Sequence, residues 1–338
     1  MKALFIGGTG TISTAITELA PLCGIELYLL NRGNNSSLVP AGVKVIEADI
    51  NREEEVREKL KDHTFDVVAE FIAYDTDAIK RDIRLFSKKT KQYIFISSAS
   101  AYQKPLSSPF ITESTPLYNP YWEYSRNKIA CEEYLMEEYR KNNFPITIVR
   151  PSHTYGNNNV PLAIHGRNGS YSVINRIKNG KKVIVHGDGN SLWTLTHNSD
   201  FTKAFIGLMG NIHAIGEAIH ITSDESLSWN QIYDIIGAAV GVRPQVVHIP
   251  SDTLAKASEG FIGSLLGDKA HTVIFDNAKV KRLVPGFHAT VRFDQGVRTT
   301  LAYIEAHPEL QKPDPDFDTW TDQMIAAYEA FGSNIPTY

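Results

Sequence analysis

Ala3-Leu4-Phe5-Ile6-Gly7-Gly8-Thr9-Gly10 opens the chain with an apolar run that stops abruptly at glycine. Consecutive apolar residues suit a strand covered on both faces, and glycine supplies the turn that releases the chain into a following helix. Such a turn brings free backbone N–H groups and the positive helix end to one point, where a phosphate binds. Gly7 suits the tight turn and Gly10 the close approach of a pyrophosphate, while Ser13 stands where a third glycine is usual. Serine is small enough there for helix and strand to pack closely.

Further short apolar runs follow at Glu26 to Leu30, Lys44 to Glu47, Asp66 to Phe71, Tyr93 to Ser97 and Ile146 to Val149, with amphipathic stretches between them. That alternation predicts βαβ units and an α/β fold, a Rossmann-like doubly wound parallel sheet. After Arg150-Pro151 the pattern loosens, and Asn157-Asn158-Asn159 mark a seam. Ala218 to Thr222 resembles one more strand and Trp229 to Val240 a helix, so the chain crosses between domains more than once. The expected division is a dinucleotide-binding domain over 1–156 plus about 193–232, and a smaller α+β substrate domain over 157–192 plus about 233–338. The tail reads as a helix at Val297 to His307, a connector at Lys312-Pro313-Asp314-Pro315, and a last helix through Ile325 to Phe331.

The 338 residues are 42% hydrophobic and 21% charged, enough for one large domain or two moderate ones. A net charge of -4 and a pI near 6.3 provide no global basic field for nucleic acid or an anionic membrane surface. Cys23 and Cys131 are the only cysteines, so a disulfide framework and a structural zinc site are not expected, and no metal is. The start has no signal-like apolar run and no stretch reaches the ~18 residues of a membrane span, so a cytoplasmic, membrane-free protein is expected.

Tyr124-Ser125-Arg126-Asn127-Lys128 carries the chemistry. If 121–139 is a helix, as Ile129, Tyr134, Leu135 and Met136 among polar partners suggest, residues four apart share a face and the phenol of Tyr124 meets the ammonium of Lys128. A nearby cation favours the phenolate, so a hydroxyl that ordinarily titrates near pH 10 can exchange protons as a general acid or base. Tyr/Lys pairs on helices are also common as plain surface contacts. The second strand ends in Asn31-Arg32 rather than an acid. An arginine there can pair with a 2′-phosphate, so the expected cofactor is NAD(P), leaning to NADP. Asp49 is placed to accept from the adenine amino group.

Ser97-Ser98-Ala99-Ser100-Ala101-Tyr102, the Tyr-x-x-x-Lys helix, the glycine turn and Val149-Arg150-Pro151-Ser152-His153-Thr154-Tyr155-Gly156 together resemble the extended short-chain dehydrogenase/reductases, often called the NAD-dependent epimerase/dehydratase family. Gly187-Asp188-Gly189, Asp200 and Asp276-Asn277-Ala278-Lys279 also fall at family-like places. The resemblance implies Tyr124 as acid/base, Lys128 as its activator and ribose ligand, and Ser98 as the hydroxyl that orients the reacting oxygen. It implies cofactor contacts at Gly7, Thr9, Gly10, Thr11, Ile12, Asn31, Arg32, Asp49, Ile50, Ile72, Tyr124, Lys128, Pro151 and His153. Substrate contacts are expected at Ser100, Tyr102, Trp122, Tyr155, Trp193 and His197. A homodimer is plausible by the same resemblance.

The chain also departs from its relatives. Hexose dehydratases place Asp-Glu after the catalytic hydroxyl, where this chain has Ala99 and Ser100, so a 4,6-dehydratase is not expected. Trp193 stands where an arginine usually pairs with the substrate diphosphate, and Lys269 or His271 are possible partial replacements. The expected function is hydride transfer at a secondary alcohol or ketone of a sugar-like substrate, with or without a nucleotide. The rival is a non-catalytic nucleotide-sensing or RNA-binding relative, for which Lys80, Arg81, Arg84, Lys88, Lys89 and Lys91 are the one basic stretch. His220, in Ala-Ile-His-Ile-Thr, reads as a satisfied core histidine.

Overall fold

The computed structural model describes residues 1–33 and 39–333, and the chain divides into two compact units. The first comprises 1–154, 198–224 and 275–290. Its strands are β1 (Lys2–Ile6), β2 (Glu26–Asn31), β3 (Lys44–Glu47), β4 (Phe65–Glu70), β5 (Thr90–Ile96), β6 (Ile146–Pro151) and β7 (Ala218–Ile221). All neighbours pair in parallel, in the order β7-β6-β5-β4-β1-β2-β3. The order reverses between β1 and β4, and ligands of such sheets bind at that switch point, beyond the carboxyl ends of the strands.

Burial on both faces explains why the central strands read as continuous apolar runs, whereas the edge strand β3 is largely exposed. Ala3 and Phe5 face one core with Val67 and Ile94, covered by helices α1 (Ser13–Leu22) and Asn198–Leu208. Leu4 and Ile6 face the other with Tyr93 and Phe95, covered by Glu53–Lys59, Thr76–Phe86 and Glu123–Asn142. The last three are α2, α3 and α4, and Asn198–Leu208 is α5. Each buried Phe, Leu or Ile contributes ~1.5–3 kcal/mol, so one polar replacement on either face of a central strand is costly.

The catalytic-helix expectation of 121–139 is corrected to Glu123–Asn142. Trp122 keeps an extended backbone (φ -129°, ψ 116°), and Asn143 ends the helix in the left-handed region at φ 55°. Tyr121 therefore lies outside the helix.

The second unit comprises 155–197, 225–274 and 291–338. Lys182–His186 pairs in parallel with Gln245–Ile249, and Leu192–His197 pairs antiparallel with Ser226–Ser228. The helix Trp229–Val240 begins with a reciprocal Ser228/Gln231 capping box and stops at Gly241, whose φ of 77° suits glycine. The tail forms helices Phe293–Ala306 and Pro315–Ser333. Arg176, nearly buried, pairs with Asp318 and Asp322 of the last helix.

The passages between units differ from the expected ones. Residues 193–197 belong to the second unit and 275–290 to the first. The latter segment is held by Asn277, whose amide donates to Thr222 O (3.1 Å) and Asp224 Oδ1 (2.9 Å), while Val280 and Phe287 join the core under β1. No helix among the described residues is long and apolar enough to cross a membrane.

Candidate active site

The glycine turn is built by contact as much as by flexibility. Gly7 has φ +85°, and a Cβ there would lie 2.3 Å from Ile72 Cγ2. At Gly8 a Cβ would lie 2.4 Å from Leu29 Cδ2, so Gly8, rather than the third motif position, lets α1 approach β2. Ser13 has a different job: its hydroxyl accepts from Gly10 N–H (2.9 Å) and donates to Gly7 O (2.9 Å), bracing the loop. Gly7→Ala is expected to weaken NADH and NADPH binding at least ~10-fold, because the substitution needs both a strained φ and displacement of Ile72. Fluorescence titration checks this, and unchanged affinity would contradict it.

Beyond the turn lies a cavity of about 480 Å³ entirely within the first unit. Gly7, Thr9, Gly10, Thr11, Ile12, Asn31, Arg32, Ile50 and Ile72 line it, joined by Ser13, Leu30, Ala48, Phe71, Tyr74 and Ile96, which sequence reading did not assign. Leu30 and Ile96 lie at the ends of β2 and β5, Ala48 and Phe71 just past β3 and β4, Ser13 at the start of α1 and Tyr74 in the loop before α3, so only the folded sheet brings them to one wall. Five expected contacts are absent from this lining: Tyr124 and Lys128 adjoin it through Tyr74 and Ile96, and three lie elsewhere. Asp49 is outside the wall, its Oδ1 accepting from Asn51 N–H at 3.0 Å in its own turn. Pro151, at the buried end of β6, and His153, just after it, are also outside the lining.

Lys128 and Tyr124 share one face of α4, with the Lys128 ammonium 5.8 Å from the Tyr124 ring centroid. Lys128 is 2% exposed and donates to Ala73 O (2.8 Å) and Ile96 O (2.7 Å). Burial lowers its pKa to about 8. An ammonium has three N–H groups, so two anchor it and one is left for a ligand or the phenol. Ala73 is itself positioned by Glu70, whose Oε1 accepts from Ile72 N–H (2.5 Å) and Ala73 N–H (2.8 Å). Burial and the neighbouring Asp82 carboxylate push the Glu70 carboxyl well above its usual range.

Ser98 follows β5, partly exposed, with its Oγ 2.8 Å from Ser100 Oγ. Tyr124 is half-buried between Trp122 (5.1 Å between centroids) and Tyr74 (6.0 Å). Several expected substrate contacts are corrected. Ser100 is 3% exposed and turned inward. Tyr102 is fully buried, its hydroxyl 3.0 Å from His220 Nδ1, while His220 Nε2 donates to Asp276 O at 2.7 Å. Both are core residues; His220 was expected to be one. In the second unit Trp193 is 2% exposed and packs on Trp229 at 5.8 Å, away from solvent. Tyr155, also 2% exposed, meets His197 edge-on at 5.2 Å and Phe293 at 5.5 Å. Lys269 is buried with its ammonium on Leu162 O (3.0 Å) and Ala163 O (3.1 Å), and His271 Nε2 lies 2.7 Å from Leu266 O. Aromatic or basic identity alone does not distinguish such packing from ligand contact.

A parallel sheet with this strand order, a braced glycine turn and a Tyr/Lys helix beside one cavity define a nicotinamide-dinucleotide enzyme of the short-chain dehydrogenase/reductase type. Residues 3–222 match the NAD dependent epimerase/dehydratase family, and the chain belongs to that family. It is 22% identical over 291 residues to 2′-dehydrokanamycin reductase of Streptomyces kanamyceticus, spanning 85% of this chain and 80% of that protein. It is 24% identical over 266 residues to the chloroplast stem-loop binding protein of 41 kDa b of Arabidopsis thaliana, spanning 73% of this chain and 65% of that one. The fold is similar to that of UDP-glucuronic acid 4-epimerase from Bacillus cereus, solved with UDP-glucuronic acid and NAD, at a TM-score of 0.73 and 20% identity, covering 90% of this chain and 99% of that one.

Proposed function

We propose that the protein transfers hydride at a secondary alcohol or ketone of a sugar-like substrate, as an NAD(P)-dependent reductase or epimerase, with Tyr124 as acid and base. The observation that carries this reading is the buried Lys128, which shares a helix face with Tyr124 and is anchored to the carboxyl end of β5, whose last residue, Ile96, walls the cavity. The glycine turn suits a dinucleotide, since the backbone of Gly7 and Gly10 borders the cavity at the start of α1. The nicotinamide, when bound, supplies or accepts the hydride. In oxidation the substrate hydroxyl gives its proton to the Tyr124 oxygen, and in reduction Tyr124 returns one. Lys128 holds positive charge beside that oxygen while remaining tied to two carbonyls, and Ser98 donates a hydrogen bond to the reacting oxygen. Supply of UDP-glucose, UDP-glucuronic acid and a panel of free keto-sugars with NADH or NADPH tests the reading. Net nicotinamide consumption indicates the reductase; epimerised product with nicotinamide retained through purification indicates the epimerase. Turnover of none of these would remove the sugar-like substrate from the proposal.

For cofactor choice, Arg32 is exposed, lines the cavity and makes no ion pair among the described residues, which supports the lean to NADP. Glu47 opposes it, because its carboxylate reaches within 3.0 Å of where a Cβ on Gly33 would sit. Arg32→Ala is expected to weaken NADPH ~10-fold while changing NADH less than ~2-fold, since a 2′-phosphate is the group an arginine pairs with. Equal effects on both in parallel titrations would end the preference.

The basic stretch supports catalysis over nucleic-acid binding. Lys80 pairs with Asp77 (3.0 Å), Arg84 with Glu53 (2.7 Å) and Lys91 with Asp66 (2.8 Å), while Arg81 is buried against Asp82 (2.8 Å). Lys89 donates to the carbonyls of Leu60 and Lys61. Five of the six charges are engaged in this way, with exposed Lys88 the remainder, which leaves little for counterion release on a phosphate backbone.

A further inference from the structure

We propose that Ser100 and Ser125 are positioning residues: a relay running Ser125 to Ser100 to Ser98 turns the Ser98 hydroxyl hydrogen outward, as a donor to the substrate oxygen. This rests on the role given to Ser98 above. The Ser125 hydroxyl, on α4 beside Tyr124, donates to Ser100 Oγ at 2.7 Å. Ser100 Oγ lies 2.8 Å from Ser98 Oγ, and Ser98 Oγ also accepts from Ser100 N–H at 3.1 Å. Ser125 is 0% exposed and Ser100 3%. The turn that carries Ser100 is pinned by Asn119, whose side-chain amide donates to Ser100 O at 2.9 Å.

The direction of the middle hydrogen bond follows from counting hydrogens. A serine hydroxyl has one hydrogen and two acceptor positions. If Ser98 donated to Ser100, then Ser100 Oγ would accept twice and its own hydrogen would be buried with no acceptor. An unsatisfied buried donor is the costlier state. If Ser100 donates to Ser98, both buried hydroxyls spend their hydrogens, and Ser98 Oγ accepts twice. Its own hydrogen then has no partner inside and turns to the open side. A donor is what a reacting oxygen needs as negative charge develops on it. The relay also links the Ser98 loop to the residue next to Tyr124, so the two groups that address that oxygen keep one spacing.

Neutron diffraction of the perdeuterated protein reads the polarity directly. The expected map has the Ser100 deuterium on the Ser100–Ser98 line and the Ser98 deuterium off it; a Ser98 deuterium pointing at Ser100 overturns the proposal. Kinetics on whichever panel compound the native enzyme turns over give the second arm. Ser100→Ala and Ser125→Ala are each expected to lower kcat ~10-fold with KM within ~2-fold and nicotinamide affinity unchanged, and Ser100→Thr to restore most of the loss. No loss in kcat, or a loss matched by weaker nicotinamide binding, overturns the relay. If Tyr124→Phe and Ser98→Ala also leave turnover intact, the catalytic reading fails instead, and the neutron map still decides the polarity.

Discussion

Tyr124→Phe is expected to lower turnover by about 10³-fold while leaving the dissociation constants of NADH and NADPH within ~2-fold, the range that positioned acid–base groups contribute. The substitution removes one oxygen and keeps the ring. Its packing against Trp122 and Tyr74, at 5.1 and 6.0 Å between centroids, is retained, and α4 loses no cap. The Lys128 anchors at Ala73 O and Ile96 O do not involve Tyr124 and persist. On the proposed role, proton movement at the substrate oxygen is lost, so the deficit belongs in kcat rather than in cofactor affinity. A variant that keeps more than a tenth of native activity would remove Tyr124 from the chemistry.

Glu132→Ala is expected to cost about 3–5 kcal/mol of stability, as removal of one partner from a buried ion pair does. Glu132, on α4, is 2% exposed and receives Arg150 of β6 through Nε at 3.0 Å and Nη2 at 2.6 Å. It also accepts the Ser97 hydroxyl, immediately before Ser98. Arg150, 4% exposed and 4.8 Å from the Tyr102 ring centroid, would be left buried without its carboxylate. An arginine stays protonated even when buried without a partner, so the guanidinium cannot escape the cost by neutralising. Because the pair joins α4 to β6 and to the end of β5, the loss is expected in the unfolding of the first unit and in the alignment of Tyr124 with Ser98. Urea unfolding measures it; a loss below ~1 kcal/mol would show that water reaches the guanidinium.

The strands were legible because two-sided burial writes itself as uninterrupted apolar residues, as at Leu4, Phe5 and Ile6. Gly7, Tyr124 and Lys128 were legible because their spacing is dictated by one turn and one helix. Gly8 and Ser13 were not, since their work depends on Leu29 and on the Gly7 carbonyl, which the fold brings to them. Tyr102 and Trp193 were misread for the same reason. His220 and Trp229, distant in sequence, claim one ring each. The segment 275–290 gave no local sign of its unit, because its attachments, such as Asn277 on Thr222 O, Lys279 on Glu217 and Lys281 on Asp224, are all to residues distant in sequence.

The interleaving of the units constrains how the molecule is made. When synthesis has reached Thr154, six strands of the seven-stranded sheet exist, but Phe201, Phe205, Leu208, Ile219, Val280 and Phe287, which share a core with Phe5 and Ile94, have yet to leave the ribosome. A nascent chain halted there presents a greasy, half-clad sheet, the kind of surface chaperones capture. Fragments cut near that point should precipitate, and the glycine turn should acquire nucleotide affinity only after residue 290 has been translated.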